Sequence, residues 1–154
     1  MLAQSIAGSL TLLSGRAFAE AKEITATKAI HQERDYQASP DQIYETLLNP
    51  DKFKAFSGGR AAQINREAGG AFSLFDGAIA GRNIELVSPL LIVQAWRATS
   101  WPKGTYSVVK FELQPRGSGT RVILDHTGFP PANAEHLASG WDENYWVPLR
   151  KYLS

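Results

Sequence analysis

Residues 69–87 read GGAFSLFDGAIAGRNIELV and contain the sequence pattern of a β-hairpin. Apolar residues alternate with small or polar ones on both sides of Asp76-Gly77. Asp-Gly between two such runs is a strong hairpin signal, because both central residues of a type I′ turn need a positive φ angle. The pattern therefore predicts one strand over 71–75 and a second, antiparallel strand over 78–87.

Runs of the same kind lie on both sides of this hairpin. One precedes it at 61–68, and three follow it at 92–99, 106–114 and 120–127. The segments between the later runs contain Gly, Pro and Ser, which favour turns. The sequence therefore predicts an antiparallel meander through the centre of the chain.

The region before the meander predicts a strand followed by two short helices. Apolar residues recur on even positions over 24–36, and this period of two indicates a half-buried strand. Ser39 and Gln42 have the spacing of a capping box, so a helix is expected to begin there. Asn49-Pro50 ends that helix, and residues 51–56 are expected to form a second one.

Apolar residues near the C-terminus recur every three or four positions, which predicts one face of an amphipathic helix. That face comprises Trp141, Tyr145, Leu149 and either Tyr152 or Leu153. Pro148 lies inside the helix and lacks the N–H that would bond to residue 144, so a bend is expected there.

Several of these segments together resemble the activator-of-Hsp90-ATPase family of the START-like, or SRPBCC, superfamily. The matching stretches are residues 69–75, 81–87, 92–97, 100–102, 140–141 and 145–149. Their order and spacing are more specific than any one of them alone. The resemblance implies an α+β helix-grip fold, in which a curved antiparallel sheet of six to seven strands wraps around a long C-terminal helix. It also implies two short helices after the first strand.

The resemblance implies an apolar cavity between sheet and helix. In this superfamily such cavities hold lipids, polyketides or hormones in some members and are nearly closed in others. Eukaryotic members of the family also carry a separate N-terminal domain with an Asn- and Trp-rich motif that acts on the chaperone. That motif does not occur in these 154 residues.

The composition fits a single globular domain without disulfides. Hydrophobic residues make up 44% and charged residues 20% of the 154 residues, which suits one buried core. The formal net charge is +1 and there is no basic cluster, so no nucleic-acid partner is expected. The absence of cysteine excludes disulfides and thiolate metal sites.

The N-terminal residues have features of a secretory signal. Residues 1–19 contain no Lys and no acidic residue, and an apolar stretch at 6–13 leads to Ala17-Phe18-Ala19. This pattern predicts cleavage before Glu20 and a periplasmic or secreted protein; the alternative is an N-terminal extension of a cytoplasmic one. The stretch is too short for a transmembrane segment. Residues 20–154 are expected to form one domain of the family.

The sequence shows no recognisable catalytic or metal-binding motif. His31, His126 and His136 have none of the spacings of local metal sites, and no serine lies in a nucleophile elbow. His126 follows Asp125 on one predicted strand, but neighbouring strand residues point to opposite faces. The histidines are therefore expected to be surface or structural residues, and no cofactor, metal or catalytic residue is expected.

An aromatic and aliphatic set on the predicted inner faces supplies the candidate ligand-binding residues. They are Phe56, Phe72, Leu74, Trp96, Trp141 and Tyr145, with Arg97, and also Glu85, as charged groups able to orient a polar end of a ligand. Binding pockets are mostly apolar with a few placed polar groups. The same residues could instead fill the core, since periodicity identifies an inward face without showing whether it is occupied.

Three functions follow from the residues and the resemblance. The first is a non-enzymatic domain that binds a small hydrophobic ligand in a cavity between the sheet and the C-terminal helix. The second is a co-chaperone-like domain that docks on a protein partner of the Hsp90 kind. The third is a cyclase or hydrolase of the polyketide cyclase kind, which rests on analogy of fold alone.

Overall fold

The computed structural model describes residues 28–154 of the chain. The predicted signal with its cleavage site before Glu20 lies outside the described residues, as does the part of the first predicted strand at 24–27. Within residues 28–154, no helix is both long enough and apolar enough to cross a membrane.

Seven strands form one antiparallel sheet in the order β1-β7-β6-β5-β4-β3-β2. The strands are β1 (Ala29–Tyr36), β2 (Gln63–Ile64), β3 (Ala71–Leu74), β4 (Ile79–Val87), β5 (Leu91–Ala98), β6 (Ser107–Arg116) and β7 (Gly119–Thr127). β2 to β7 are neighbours in sequence order, as a meander requires, and β1 pairs with β7. The predicted α+β class with six to seven strands is confirmed.

Helices cover the inner face of this sheet. Two of them follow β1, namely α1 (Pro40–Leu48) and α2 (Pro50–Phe56). The C-terminal segment consists of a 3₁₀ turn (Pro131–Asn133), α3 (Ala134–Trp141), a π-helical turn (Asp142–Trp146) and α4 (Val147–Leu153). The apolar core lies between these helices and the inner side chains of β3 to β7.

The two short helices begin where the capping residues predict. The Gln42 backbone N–H donates to Ser39 Oγ, and the Gln42 side chain accepts from the Ser39 N–H, so the capping box is confirmed. Asn49 ends α1 and also caps α2, because its side chain accepts from the N–H groups of Asp51 and Lys52. α2 therefore begins at Pro50, one residue earlier than predicted.

β2 is shorter than predicted. The alternating run covers 61–68, but only Gln63 and Ile64 pair with β3. The Gly70 N–H bonds to the carbonyl of Glu67 over 2.9 Å, and Gly69 adopts a φ of +80°. The chain therefore turns toward β3 before the strand can extend.

The β3–β4 hairpin forms, but its turn lies one residue earlier than Asp76-Gly77. Leu74 pairs with Ile79, and the Gly77 N–H bonds to the Leu74 carbonyl, so the central residues are Phe75 and Asp76. Both have positive φ angles, of 54° and 57°. A left-handed backbone is unfavourable for a bulky residue. At Phe75, burial of the ring in the core offsets the cost of this backbone conformation.

The C-terminal segment bends by inserting one residue into the helix. The Val147 N–H donates to the carbonyl of Asp142, five residues back, just before Pro148, which has no N–H to give. Tyr145 and Trp146, both within this π-helical turn, are buried. At the C-terminal end of the predicted face, Leu153 is partly buried and Tyr152 is exposed.

Gly81 on β4 lets two aromatic neighbours approach the sheet closely. It is paired with Phe72 on β3 and with Trp96 on β5. A Cβ atom at this position would collide with the carbonyl oxygen of Ala95 and would lie 2.5 Å from Cζ of Phe72. Because Gly81 has no side chain, the ring of Phe72 and the backbone of β5 can pack closely against this position.

We expect Gly81→Ala to lower the free energy of unfolding by about 2 kcal/mol or more, because the new methyl group must displace backbone as well as side chain. Urea unfolding measures this. Gly140→Ala is the matched control: its Cβ would lie 3.8 Å from the nearest atom, Nδ2 of Asn144, so a small stabilisation of roughly 0.5–1 kcal/mol is expected. Equal unfolding midpoints for both variants would contradict the close packing at Gly81.

Candidate functional site

A chain of buried hydrogen bonds joins the C-terminal helix to the inner face of the sheet. Nε1 of Trp141 donates to His126 Nδ1 over 3.1 Å. On the other side of the imidazole, His126 Nε2 lies 2.7 Å from Ser107 Oγ, and that hydroxyl donates to the carbonyl of Trp96 over 3.0 Å. All four residues are buried, so each polar group depends on its neighbour in the chain.

These partners fix the tautomer and the charge of His126. Nδ1 accepts from Trp141, and Ser107 has given its only hydroxyl proton to a carbonyl, so Nε2 must carry the ring proton. A proton on Nδ1 as well would face the indole N–H and have no acceptor. Burial lowers the pKa of His126 to about 4, so the imidazole is neutral at pH 7.

The other two histidines take no part in this chain of hydrogen bonds. His31 lies on the outer face of the sheet, 2.6 Å from Asp125 and 3.3 Å from Glu33, and hydrogen bonds to these carboxylates raise the pKa of His31. Asp125 and His126 point to opposite faces, as strand alternation predicts. His136 is exposed on α3. Among residues 28–154, no group of three or more His, Asp and Glu residues is placed to hold a metal ion.

A pocket of about 290 Å³ lies between the sheet and the C-terminal segment. It adjoins the chain of buried hydrogen bonds, with which it shares Trp96 and Trp141. Its walls come from the β3–β4 loop, the end of β5 with the loop that follows, α3 with the π-helical turn, and Arg60. The volume is near the lower end of the roughly 300–1,000 Å³ found for small-molecule sites. The pocket therefore suits a small ligand.

Three of the predicted ligand-binding residues meet in this pocket: Trp96, Trp141 and Tyr145. The ring centroids of Trp96 and Trp141 are 5.9 Å apart, and those of Trp141 and Tyr145 are 4.5 Å apart. β5 presents Trp96 on its inner face, and the π-helical turn brings Tyr145 beneath Trp141. The three rings form one continuous aromatic wall.

The other predicted residues lie outside the pocket. Phe56, Phe72 and Leu74 are buried in the core. Arg97 is on the opposite face of β5 from Trp96, where its Nη2 donates to the carbonyl of Trp101 over 2.6 Å. Glu85 follows a bulge in β4 and is exposed. A ligand role for these side chains stays a prediction, and the pocket geometry gives it no support.

Sequence reasoning missed most of the polar wall of the pocket. Arg60, Asn133 and Asn144 line it, as do Phe75 and Trp101. Four of these residues lie in loops, turns or the π-helical segment, and Asn133 ends the short 3₁₀ turn. In such segments the periodicity of the sequence does not say which side chains point inward. Trp101 and Phe75 lie in the stretches that carry the family resemblance, so that resemblance could have pointed to them. We find no sequence signal for Arg60.

Arg60 is fixed by three contacts. Its Nε donates to the carbonyl of Ser57 over 2.9 Å, and its Nη2 donates to Oδ1 of Asn144 over 3.0 Å. The guanidinium carbon lies 4.4 Å from the centroid of the Phe75 ring. Arg60 therefore presents an oriented positive charge at the pocket wall.

The pH dependence of stability tests the buried imidazole. The pKa of His126 is about 4 when folded against about 6.5 when unfolded, so the unfolded chain binds the proton first as the pH falls. Above pH 6.5 the imidazole of His126 is mainly neutral in both the folded and the unfolded chain, so its protonation should hardly change the free energy of unfolding. Between pH 6.5 and pH 4, protonation of His126 in the unfolded chain should lower the free energy of unfolding by about 3 kcal/mol.

Urea unfolding of wild type and His126→Gln at pH 7.5, 6 and 5 measures this contribution. The glutamine amide can accept from Trp141 and donate to Ser107 but does not titrate, so the variant should lose stability less steeply. His136→Gln is the control and should follow wild type. His31 titrates in all three proteins and cancels from the comparison. Identical slopes for wild type and His126→Gln would contradict the proposed neutral imidazole.

Comparison with known proteins agrees with the fold and the family resemblance. Residues 37–154 match the family described as "Activator of Hsp90 ATPase homolog 1-like protein". A mouse protein, "Activator of 90 kDa heat shock protein ATPase homolog 2", is 28% identical over 127 residues, which cover 82% of this chain and 38% of that protein. A Dictyostelium discoideum homologue of the activator is 35% identical over 119 residues, or 77% of this chain and 31% of that protein. The chain thus spans well under half the length of these relatives.

A solved structure shows the same fold. The crystal structure of an HSP90 activator from Plasmodium falciparum superimposes with a TM-score of 0.73 and 26% sequence identity, covering 76% of this chain and 89% of that one. The family match covers both short helices, β2 to β7 and the whole C-terminal segment. This chain belongs to the family of activator of Hsp90 ATPase homolog 1-like proteins.

Proposed function

We propose that this domain binds a small apolar molecule in the pocket between the sheet and the C-terminal segment. The observation that supports the proposal is the pocket itself, a space of about 290 Å³ beside a closely packed aromatic core. Its lining includes exposed and half-buried side chains such as His136 and Ile79, so the pocket opens to solvent and a ligand can enter it. A concave site walled largely by indole and phenol rings is typical of small-molecule binding.

The composition of the walls fits ligand binding. Trp96, Trp101 and Trp141 supply large, rigid apolar surfaces, and they are held in place by edge-to-face and tilted contacts with each other. Rigid walls lower the entropic cost of binding. A few polar groups, among them Arg60 and Asn144, lie at one side of these rings. Mostly apolar walls with a few placed polar groups are typical of ligand sites.

Gly140 offers a direct test, because it lines the pocket and a Cβ there would make an ordinary contact, 3.8 Å from Nδ2 of Asn144. We expect Gly140→Leu to fill part of the pocket and lower affinity for the neutral apolar dye N-phenyl-1-naphthylamine at least about tenfold, since binding loses the space for several ligand atoms. Fluorescence titration of the dye measures this. Gly140→Ala, which adds one methyl group, should retain most of the binding.

The thermal unfolding of both variants provides the control for folding. Gly140 lies within α3, where larger side chains favour helix, so neither variant should melt below wild type. Wild-type protein that does not bind the dye, or Gly140→Leu that binds it as well as wild type, would contradict the pocket assignment.

A second function is favoured by the names of the relatives rather than by the pocket. The mouse and Dictyostelium relatives are described as activators of the 90 kDa heat shock protein ATPase, and this chain matches only part of each. Large apolar side chains are exposed on β4 and the β4–β5 turn, at Ile84, Val87 and Leu90. Exposed apolar groups close together favour a protein partner. The alternative of a cyclase or hydrolase stays a prediction.

If this second function holds, the domain should raise the ATP turnover of an Hsp90-type chaperone until the effect saturates. Leu90→Asp should then reduce the stimulation, because it places a charge in the docking surface, and leave dye binding unchanged. Val147→Asp is the matched control, since Val147 is exposed on the helical side of the molecule. A coupled ATPase assay measures the effect. Absence of stimulation by wild-type domain, or equal loss in both variants, would contradict docking through β4 and its turn.

A further inference from the structure

We propose that the ligand of this pocket is an apolar carboxylic acid, whose carboxylate accepts hydrogen bonds from the Trp96 indole N–H and the Arg60 guanidinium. This inference rests on the proposed binding function and narrows the ligand to one chemical class. The residues that line the pocket supply hydrogen-bond donors and a positive charge among apolar rings.

The indole of Trp96 is a buried donor without an acceptor. Trp96 is only 4% exposed, and its Nε1 has no hydrogen-bond partner within the described part of the chain. The two indoles of the C-terminal segment differ: Trp141 donates to His126, and Trp146 donates to Oε1 of Gln32 over 2.6 Å. Buried donors are almost always paired. The ring of Trp96 lines the pocket, so an acceptor on a ligand that reaches Nε1 would complete this donor.

The guanidinium of Arg60 also has unused donors. An arginine has five N–H groups, and Arg60 uses two of them, toward Ser57 and Asn144. Arg60 forms no ion pair with any residue in 28–154. A planar guanidinium with free N–H groups is suited to a carboxylate.

The hydroxyl of Tyr145 is a third donor at the pocket. It lies close enough to the Trp96 indole to interact with it, but the two groups do not have the geometry of a hydrogen bond. Burial raises the pKa of Tyr145, so the hydroxyl is protonated at neutral pH and can donate. β5, the loop before β2 and the π-helical turn thus each supply one donor residue among those that line the pocket. A carboxylate, with two oxygen atoms and about four acceptor positions, can accept from all three.

The charges around the pocket favour an anion. Among residues 28–154, no Asp or Glu lines it, and Arg60 is the one permanently charged side chain that does. Two acids next to lining residues in the sequence are engaged elsewhere: Asp76 accepts from the N–H of Ala61, and Asp142 pairs with Arg34. A carboxylate loses its hydration on entering such a site and needs paired donors in exchange. A neutral carbonyl would use the Trp96 donor but leave the Arg60 charge without a partner.

The rest of the pocket suits an apolar tail. Ile79, Leu137, Trp101 and Trp141 form apolar walls, which are interrupted by Ser100, Asn133 and His136. The volume of about 290 Å³ favours a short chain or a small ring system over a long lipid. Octanoate is therefore a suitable probe, and octanamide is its neutral match, with the same chain and one carbonyl acceptor.

Isothermal titration calorimetry of the whole chain with octanoate and octanamide at pH 7 tests the inference. We expect octanoate to bind at least about tenfold more tightly than octanamide, because hydrogen bonds to charged groups are stronger. Arg60→Met keeps an unbranched apolar side chain but removes the charge, and it should lower octanoate affinity about 10- to 100-fold with little effect on octanamide. Trp96→Phe keeps a ring but removes the N–H, and it should weaken both ligands.

Arg150→Met is the matched control for the loss of charge. Arg150 lies 4.9 Å over the ring of Tyr36 and donates to the carbonyl of Asp35, outside the pocket, so its replacement should leave both affinities unchanged. Equal binding of octanoate and octanamide to wild type would overturn the carboxylate inference while leaving the binding function in place. Arg60→Met that binds octanoate like wild type would overturn it also. Binding of N-phenyl-1-naphthylamine without binding of either octanoate or octanamide would likewise overturn the carboxylate inference. If none of the three probes binds, the proposed function itself is contradicted.

Discussion

The imidazole of His126 links the C-terminal helix to the sheet, and the geometry of the pocket depends on this link. The ring accepts from Trp141 on α3 and contacts Ser107 on β6, which in turn bonds to the backbone of β5 at Trp96. Buried hydrogen bonds have strong directional preferences, so this chain fixes the distance between helix and sheet as well as their register. Aliphatic packing alone would allow the helix to settle closer and fill the space. The neutral state of the imidazole is part of the same constraint, because a second ring proton would have no acceptor.

Two local departures from regular structure line the pocket, and each has an identifiable cause. Phe75 adopts a left-handed backbone, and its ring packs against Phe53 and Tyr145, with centroids 5.0 Å and 5.4 Å away. The π-helical turn before Pro148 adds a residue, and Tyr145 and Trp146 within it are buried. Strained or irregular backbone persists where the surrounding packing holds it, and it is often found at functional sites.

The order of the strands and helices could be predicted from sequence because it follows from local periodicity, capping residues and turn residues. The capping box at Ser39, the hairpin around Asp76 and the buried face of Trp141, Tyr145 and Leu149 all agree with the structure. The pocket could be predicted only in part. Trp96 lies on a regular strand face, and Trp141 and Tyr145 follow the helical spacing even though Tyr145 lies in the π-helical turn. Arg60 and Phe75 lie in loops whose side-chain directions depend on tertiary contacts. Arg97 is adjacent to Trp96 in sequence, and for that reason it points to the other face of the sheet.

The four tryptophans of the chain allow the central claim to be tested in one spectrum, because each gives one indole N–H signal. The claim is that the Trp96 donor is unpaired in the free protein and meets a ligand acceptor, while Trp141 and Trp146 are already bonded. Two-dimensional ¹H–¹⁵N NMR of the protein with increasing octanoate measures this, with Trp96→Phe assigning its signal. A large downfield shift of the Trp96 indole proton, with small changes for Trp141 and Trp146, is the predicted result. A Trp96 signal that does not move at saturating octanoate, or a comparable shift of the bonded indole of Trp146, would contradict it.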